Sequence, residues 1–159
     1  KGLADPRDWM FKLTIETFRT KRSFLDFLGL RYVVAESYEP LADAGYTPVA
    51  SLDLNIWESD TAWPRAFFAN RLVPYATTAD FLRLVDENAA GPFAAVEESE
   101  EKRLTTPLDA SAPLVAVAAT RYKLTSNSTA FEIDAPTPGF AVLQETYEAD
   151  NFKVTLDGV

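Results

Sequence analysis

Beyond residue 114 the chain alternates apolar and polar residues with a period of two, and this pattern constrains the fold more than any other feature. Tyr122 and Leu124, Phe131 and Ile133, and Phe152, Val154 and Leu156 alternate with Lys123, Glu132, Asp134, Lys153 and Thr155. Successive side chains of a strand point to opposite faces, so the spacing predicts strands with one packed face and one wet face. Ser126-Asn127-Ser128, Pro136-Thr137-Pro138-Gly139 and Glu148-Ala149-Asp150-Asn151 punctuate them with turn-forming residues. Connections this short join antiparallel neighbours, because a parallel crossover needs about a dozen residues or more. The C-terminal part is therefore expected to be four strands in an antiparallel, sandwich-like sheet.

The N-terminal part mixes helical and strand signals. Asp5-Pro6 is a helix-start signal, and Phe11, Ile15, Phe18 and Leu25 keep a helical stripe, although Phe11, Leu13 and Ile15 also alternate as a strand would. Helix is the expected state. Ser23 is placed to cap a short helix that Gly29 ends in the left-handed conformation, and Arg31–Ala35 follows as a buried strand. Pro40, Gly45 and Pro48 mark a loop over residues 36–48. Leu52, Leu54 and Ile56 predict the inward face of a half-buried strand, and Ala66–Ala69 with Leu72 and Val73 predict a further one. Thr78 is expected to cap a helix whose Phe81, Leu82, Leu84 and Val85 share a face, before a strand at Phe93–Val96. The resulting expectation is α+β: a mixed α/β part with short helices over 1–98, a connector over 99–113, and an antiparallel β part over 114–159. The two parts are expected to pack as one domain, as 159 residues suit.

Charge and missing residue types narrow the function. Fifteen Lys and Arg against 24 Asp and Glu give a net charge of −9, which disfavours a phosphate-backbone partner, so no nucleic acid is expected. The chain has no His and no Cys. That removes a Ser-His-Asp triad, a Cys-His nucleophile, a Cys/His zinc site and a haem. The longest apolar run, Leu114–Ala119, falls far below the ~20 residues of a membrane span. Glu97, Glu98, Glu100 and Glu101 either ligate a hard cation or form a solvated surface; their spacing matches no EF-hand loop, and the solvated surface is expected. No catalytic residue, metal or cofactor is assigned.

Four residues are candidates for ligand binding. Trp57, Trp63 and Tyr147 suit a sugar-stacking platform, or alternatively the core, where most of 20 aromatics must lie. Arg65 suits a bidentate contact to a phosphate or carboxylate, or alternatively an internal pair with one of the many acids.

Three segments resemble the YfhO family of bacterial polytopic membrane proteins, in the large extracytoplasmic part near their C-terminal end. Leu25-Asp26-Phe27-Leu28-Gly29-Leu30-Arg31-Tyr32-Val33-Val34 is similar to that family's helix-to-strand segment. Leu54-Asn55-Ile56-Trp57-Glu58 and Trp63-Pro64-Arg65-Ala66-Phe67-Phe68 resemble its Tyr-Glu-Asn followed by Leu-Pro-Arg-Ala-Phe. Gly139–Tyr147, then Phe152–Gly158, resemble its Gly-x-Leu-Val-Leu-Ser-Glu-x-Tyr-x-Pro-Gly-Trp and terminal Val-Asp-Gly. The order holds over residues 24–158. This chain departs from the pattern in lacking the Asn after Glu58, in Trp63 for Leu, and in Asp150-Asn151-Phe152 for Pro-Gly-Trp.

The resemblance implies a non-catalytic, outward-facing domain attached to the remainder of a many-span membrane protein, in a family linked to lipid-dependent glycosyl transfer. A glycan or lipid-linked sugar of the cell envelope is the implied ligand, and catalysis is expected elsewhere in the parent protein. Alternatives are a secreted carbohydrate-binding or hydrolytic protein, and a purely structural or partner-docking domain. Lys1 and Val159 read as cuts in a longer chain, so the strand bearing Phe152, Val154 and Leu156 is expected near a bare sheet edge and a homodimer through that edge follows.

Overall fold

A computed structural model of the chain describes residues 14–35, 41–51, 53–88, 91–101, 113–145 and 152–158. The helix start at Asp5-Pro6, Phe11, Leu13, Leu52, Tyr147, most of the 99–113 connector and the 148–151 turn lie outside the described residues. The fold is α+β, with short helices and several sheets whose pairings, among the described residues, are antiparallel in every case but one.

Two short helices open the described chain. In α1 (Ile15–Thr20) the Thr14 side chain accepts a hydrogen bond from the Thr17 N–H, and Ile15 and Phe18 turn inward. In α2 (Arg22–Phe27) the cap position falls on Lys21, which makes no side-chain bond, so Ser23 lies inside the first turn instead of capping it. The end matches expectation. Gly29 has φ +68, its N–H bonds to the Asp26 carbonyl, and the Leu30 N–H bonds to the Leu25 carbonyl, the paired closure that an αL residue permits.

Behind these helices stand β1 (Tyr32–Ala35), a 3₁₀ turn (Leu41–Ala44), β2 (Thr47–Ser51) and β3 (Asn55–Glu58), with β3 central in the order β1-β3-β2. Phe18, Leu25, Leu41, Ala44, Tyr46 and Trp57 form one core cluster here. Two expectations are corrected. The edge strand β1 is half exposed, with Tyr32 and Val34 both open to solvent, because only one of its faces meets the cluster. In β3 the inward parity is Asn55 and Trp57, leaving Leu54 exposed; burying the indole outweighs burying the smaller aliphatics of the other face.

A second cluster of Trp63, Phe67, Ala69, Val85, Phe93 and Ala94 lies around β4 (Ala66–Ala69). Every β4 residue is buried, and Trp63 meets Phe27, Phe67 and Phe93 edge to face. Next to it β5 (Leu72–Tyr75), α3 (Thr78–Glu87) and β6 (Ala94–Glu97) make a βαβ unit with parallel strands. The cap of α3 is Thr77, one residue before the expected Thr78. Its hydroxyl accepts from the Asp80 N–H while the Asp80 carboxylate accepts from the Thr77 N–H. Val85 is buried and Phe81 and Leu84 half-buried, whereas Leu82 is exposed.

The C-terminal strands do not form one sheet of their own. β7 (Ala116–Ala118) and β10 (Phe140–Leu143) pair antiparallel with the two edges of β4, while β8 (Thr120–Leu124) and β9 (Thr129–Glu132) form a separate hairpin. The physical reason lies in β4, whose buried backbone needs hydrogen-bond partners on both edges. The expected fourth strand is absent: residues 152–155 belong to no ladder, and Val154 and Leu156 are 87% and 76% exposed.

Between Thr120 and Lys123 the hairpin register shifts, and Arg121 there takes φ +50, as a bulge residue does. The bulge delivers the Tyr122 hydroxyl to β4, where it accepts from the Ala66 N–H at 3.0 Å and donates to the Ala66 carbonyl at 3.1 Å. Since Ala66 is fully buried, Tyr122→Phe should cost about 1–3 kcal/mol by leaving that N–H without a partner. Urea unfolding checks this; a midpoint equal to that of the unaltered protein would show that the hydroxyl contributes nothing.

Candidate functional site

The stacking candidates are separated by the fold. Trp57 is 8% exposed and belongs to the first cluster, and Trp63 is 5% exposed in the second. Neither indole offers a face to a sugar, so the expected platform is not assembled from them; filling two clusters draws these large rings inward. Arg65 is exposed and pairs with Glu145 on the residue following Gln144, through Nε at 3.1 Å and through Nη2. The Thr129 hydroxyl donates to the same carboxylate oxygen at 3.1 Å. Glu98–Glu101 form one exposed helical turn, α4, and no group of acids able to hold a metal ion occurs among the described residues.

The Arg65 hydrogen bond is the main cause that holds the Glu145 carboxyl below its ordinary pKa, with Thr129 assisting and partial desolvation opposing. A depressed folded-state pKa stabilises the fold above the unfolded value of about 4.3 and is lost as pH falls through the lower folded value. Glu58, bonded by Arg31 and Tyr32, and Asp80, bonded by Thr77, are shifted in the same direction. The melting temperature should therefore fall below about pH 4.3, and less steeply in Glu145→Gln. Equal slopes in the two proteins would remove this pair from the account.

The most constrained polar constellation is one the candidate residues did not include. Asp26 sits on the inward side of α2 and is 4% exposed. The Arg22 Nε, one turn earlier, donates to both of its oxygens at 3.1 and 3.0 Å. Ser59 and Thr61, on the β3–β4 connection, donate hydroxyl bonds to Oδ1 at 2.9 Å and Oδ2 at 2.7 Å. Arg22 also donates from Nη1 to the Ala44 carbonyl at 2.6 Å and from Nη2 to the Ser59 hydroxyl at 2.6 Å and the Thr61 hydroxyl at 2.8 Å. Its guanidinium lies 4.1 Å from the Tyr46 ring centre. The i, i+4 Arg–Asp spacing is legible in the sequence, but the hydroxyl partners come from more than thirty residues away.

The chemistry of this network is structural. Ser59 donates to a carboxylate, as a nucleophile next to a base would, yet it is 1% exposed and enclosed by Arg22, Asp26 and Thr61. No substrate carbon can reach it. Burial is the leading cause that pushes the Tyr46 phenol above its ordinary pKa, so that hydroxyl stays protonated. Among the described residues the buried Tyr46 hydroxyl and Trp57 Nε1–H find no hydrogen-bond partner, and both belong to the first cluster.

The segments 25–34, 63–68 and 139–145, distant in sequence, converge in space. The Gln144 side chain donates to the Phe27 carbonyl at 2.8 Å, and the Gln144 N–H donates to the Arg65 carbonyl at 2.8 Å. The Trp63 N–H donates to the Asp26 carbonyl at 2.8 Å. Comparison of the chain with protein-family models, with curated proteins and with solved structures gives no match.

Proposed function

We propose that the chain is a non-catalytic extracytoplasmic domain of a bacterial membrane protein resembling the YfhO family, and that it helps to position or recognise an envelope glycan or lipid-linked sugar. The observation that carries this reading is the convergence just described. Residues 25–34, 63–68 and 139–145, which resemble the family, meet through Phe27, Trp63, Arg65, Gln144 and Glu145. Segments distant in sequence but shared as a pattern are expected to form one structural unit, and here they do so around β4. Among the described residues no helix is long and apolar enough to cross a membrane, so any anchoring spans would come from other parts of the parent protein.

Reporter fusions to the complete parent gene test the placement. An alkaline phosphatase reporter joined after this domain should be active and a green fluorescent reporter dark; the reverse pattern overturns the extracytoplasmic assignment. A partner-docking role is the second reading, favoured by one observation: the Val154 and Leu156 side chains, 87% and 76% exposed, form a short apolar strip open to solvent. Such strips mark interaction surfaces. With residues 152–155 outside any ladder, a homodimer would form through this strip and not through a sheet edge, and light scattering showing a monomer at high concentration would count against it.

A further inference from the structure

Beside the Arg22 network the surface dips into an open cleft of about 410 Å³. That volume lies within the ~300–1,000 Å³ of small-molecule sites and accommodates one pyranose ring. Arg19 comes from the last turn of α1, Arg22 from the first turn of α2, Asp43 and Gly45 from the 3₁₀ turn and its exit, and Asp60 and Thr61 from the β3–β4 connection.

Charge decides the ligand class. Arg19 and Asp43 pair with each other at 3.0 Å and Arg22 pairs with the buried Asp26, so among the described residues Asp60 is the lining charge left without an ionic partner. A phosphate or a polycarboxylate would face the Asp60 carboxylate and find both guanidiniums already held by carboxylates. Hydroxyl groups both donate and accept, and such a mixed lining satisfies them without charge repulsion. Among the described residues no aromatic side chain lines the cleft, so recognition by them depends on hydrogen bonds and not on ring stacking.

The lining is also held in place. Arg22 is fixed by Asp26, Ser59, Thr61 and the Ala44 carbonyl, so little side-chain freedom is lost when a ligand binds. Gly45 has φ +80, and a Cβ there would lie 3.3 Å from the Arg22 Nη1. Glycine at this position keeps the turn close against the guanidinium. Asp60 is exposed and is engaged by no hydrogen bond or ion pair among the described residues, which leaves its carboxylate available to accept from a ligand.

We infer that this cleft takes the hydroxylated ring of a neutral sugar, with the Asp60 carboxylate accepting from a ring hydroxyl and the remaining donors and acceptors of the Arg19–Asp43 pair meeting its neighbours. The inference rests on the glycan-recognition reading and assigns that reading a place. Amide NMR titration of the chain with glucose, N-acetylglucosamine, glucuronate and inorganic phosphate tests it. The neutral sugars should give saturable shifts at the Gly45 and Thr61 amides, and phosphate should give none. Asp60→Asn, at a residue outside the folding network, should weaken binding about tenfold by removing a charged acceptor. Neutral-sugar shifts that map elsewhere and survive Asp60→Asn overturn the cleft and leave glycan recognition standing. Stronger binding of phosphate or glucuronate at Gly45 and Thr61 overturns the assigned ligand class. Absence of shifts with every saccharide, extended to purified envelope glycan fragments, overturns both.

Discussion

Gly139→Ala is expected to be among the most damaging single-methyl additions the chain can receive. A Cβ at residue 139 would lie 2.4 Å from Phe68 Cε2, 2.5 Å from Phe68 Cζ and 2.5 Å from the Ala69 carbonyl oxygen. All three distances fall inside van der Waals contact. Relief by moving the ring is blocked because Phe68 is 3% exposed in the middle of β4, and relief by moving the carbonyl is blocked because it is backbone. The following residue, Phe140, pairs with Ala69, so any retreat of Gly139 pulls β10 out of register. Overpacking costs about 1–3 kcal/mol in ordinary cores, and this site belongs at the upper end. For a domain of this size that corresponds to a melting temperature lower by roughly 6–12 °C. Gly91→Ala is the control, since a Cβ there meets nothing within 4 Å; it should be neutral, or stabilising by about 0.4–1 kcal/mol through the unfolded chain. Equal melting of Gly139→Ala and Gly91→Ala would show that the β10–β4 contact relaxes more readily than the geometry allows.

Gly139 also shows what kind of information the sequence carried. Its place after Pro136-Thr137-Pro138 marks it as a turn residue, and it does precede β10. The requirement at this position is close approach to β4, which depends on a strand seventy residues earlier and leaves no local trace. The same division runs through the fold. Gly29 was legible because an αL helix end is a local matter, and the α+β class was legible because helical stripes and alternation are local periodicities. The inward face of β3 was not, because Leu54 and Ile56 compete with Trp57 for a core whose other walls are Phe18, Leu41 and Tyr46. Nor was the dispersal of the C-terminal strands. Alternation marks β8 and β9, whereas β7 and β10 are short apolar runs whose partner is set by β4, which is buried on all sides. For the site, Arg65 was recognisable as a paired arginine while its partner Glu145 was not, and the tryptophans could be read as platform or core until the packing was known.

The second large effect is expected at Arg22. Arg22→Met keeps much of the aliphatic volume against Tyr46 but leaves the Asp26 carboxylate, 4% exposed, with hydroxyl donors from Ser59 and Thr61 and no countercharge. Removing one partner of a buried pair typically costs about 3–5 kcal/mol, whereas replacing both partners with apolar residues is often close to neutral. The damage comes from the orphaned charge, so the order of stabilities should reveal it. Arg22→Met should be less stable than Arg22→Met combined with Asp26→Leu, even though the double variant carries more substitutions. The Ser59 and Thr61 hydroxyls limit that recovery, because the double variant leaves both without their acceptor. If the single-variant losses simply add, within about 0.5 kcal/mol, the two side chains act independently and the network does not hold α2 to the β3–β4 connection as a unit. Coupling well beyond that figure ties α2, the 3₁₀ turn and the β3–β4 connection to one buried carboxylate. Those elements line the cleft, so Arg22→Met should also abolish the sugar-dependent shifts at Gly45 and Thr61 at temperatures where the variant is still folded. A folded Arg22→Met protein that binds neutral sugar as the unaltered chain does would separate the network from the cleft and leave it a purely structural device.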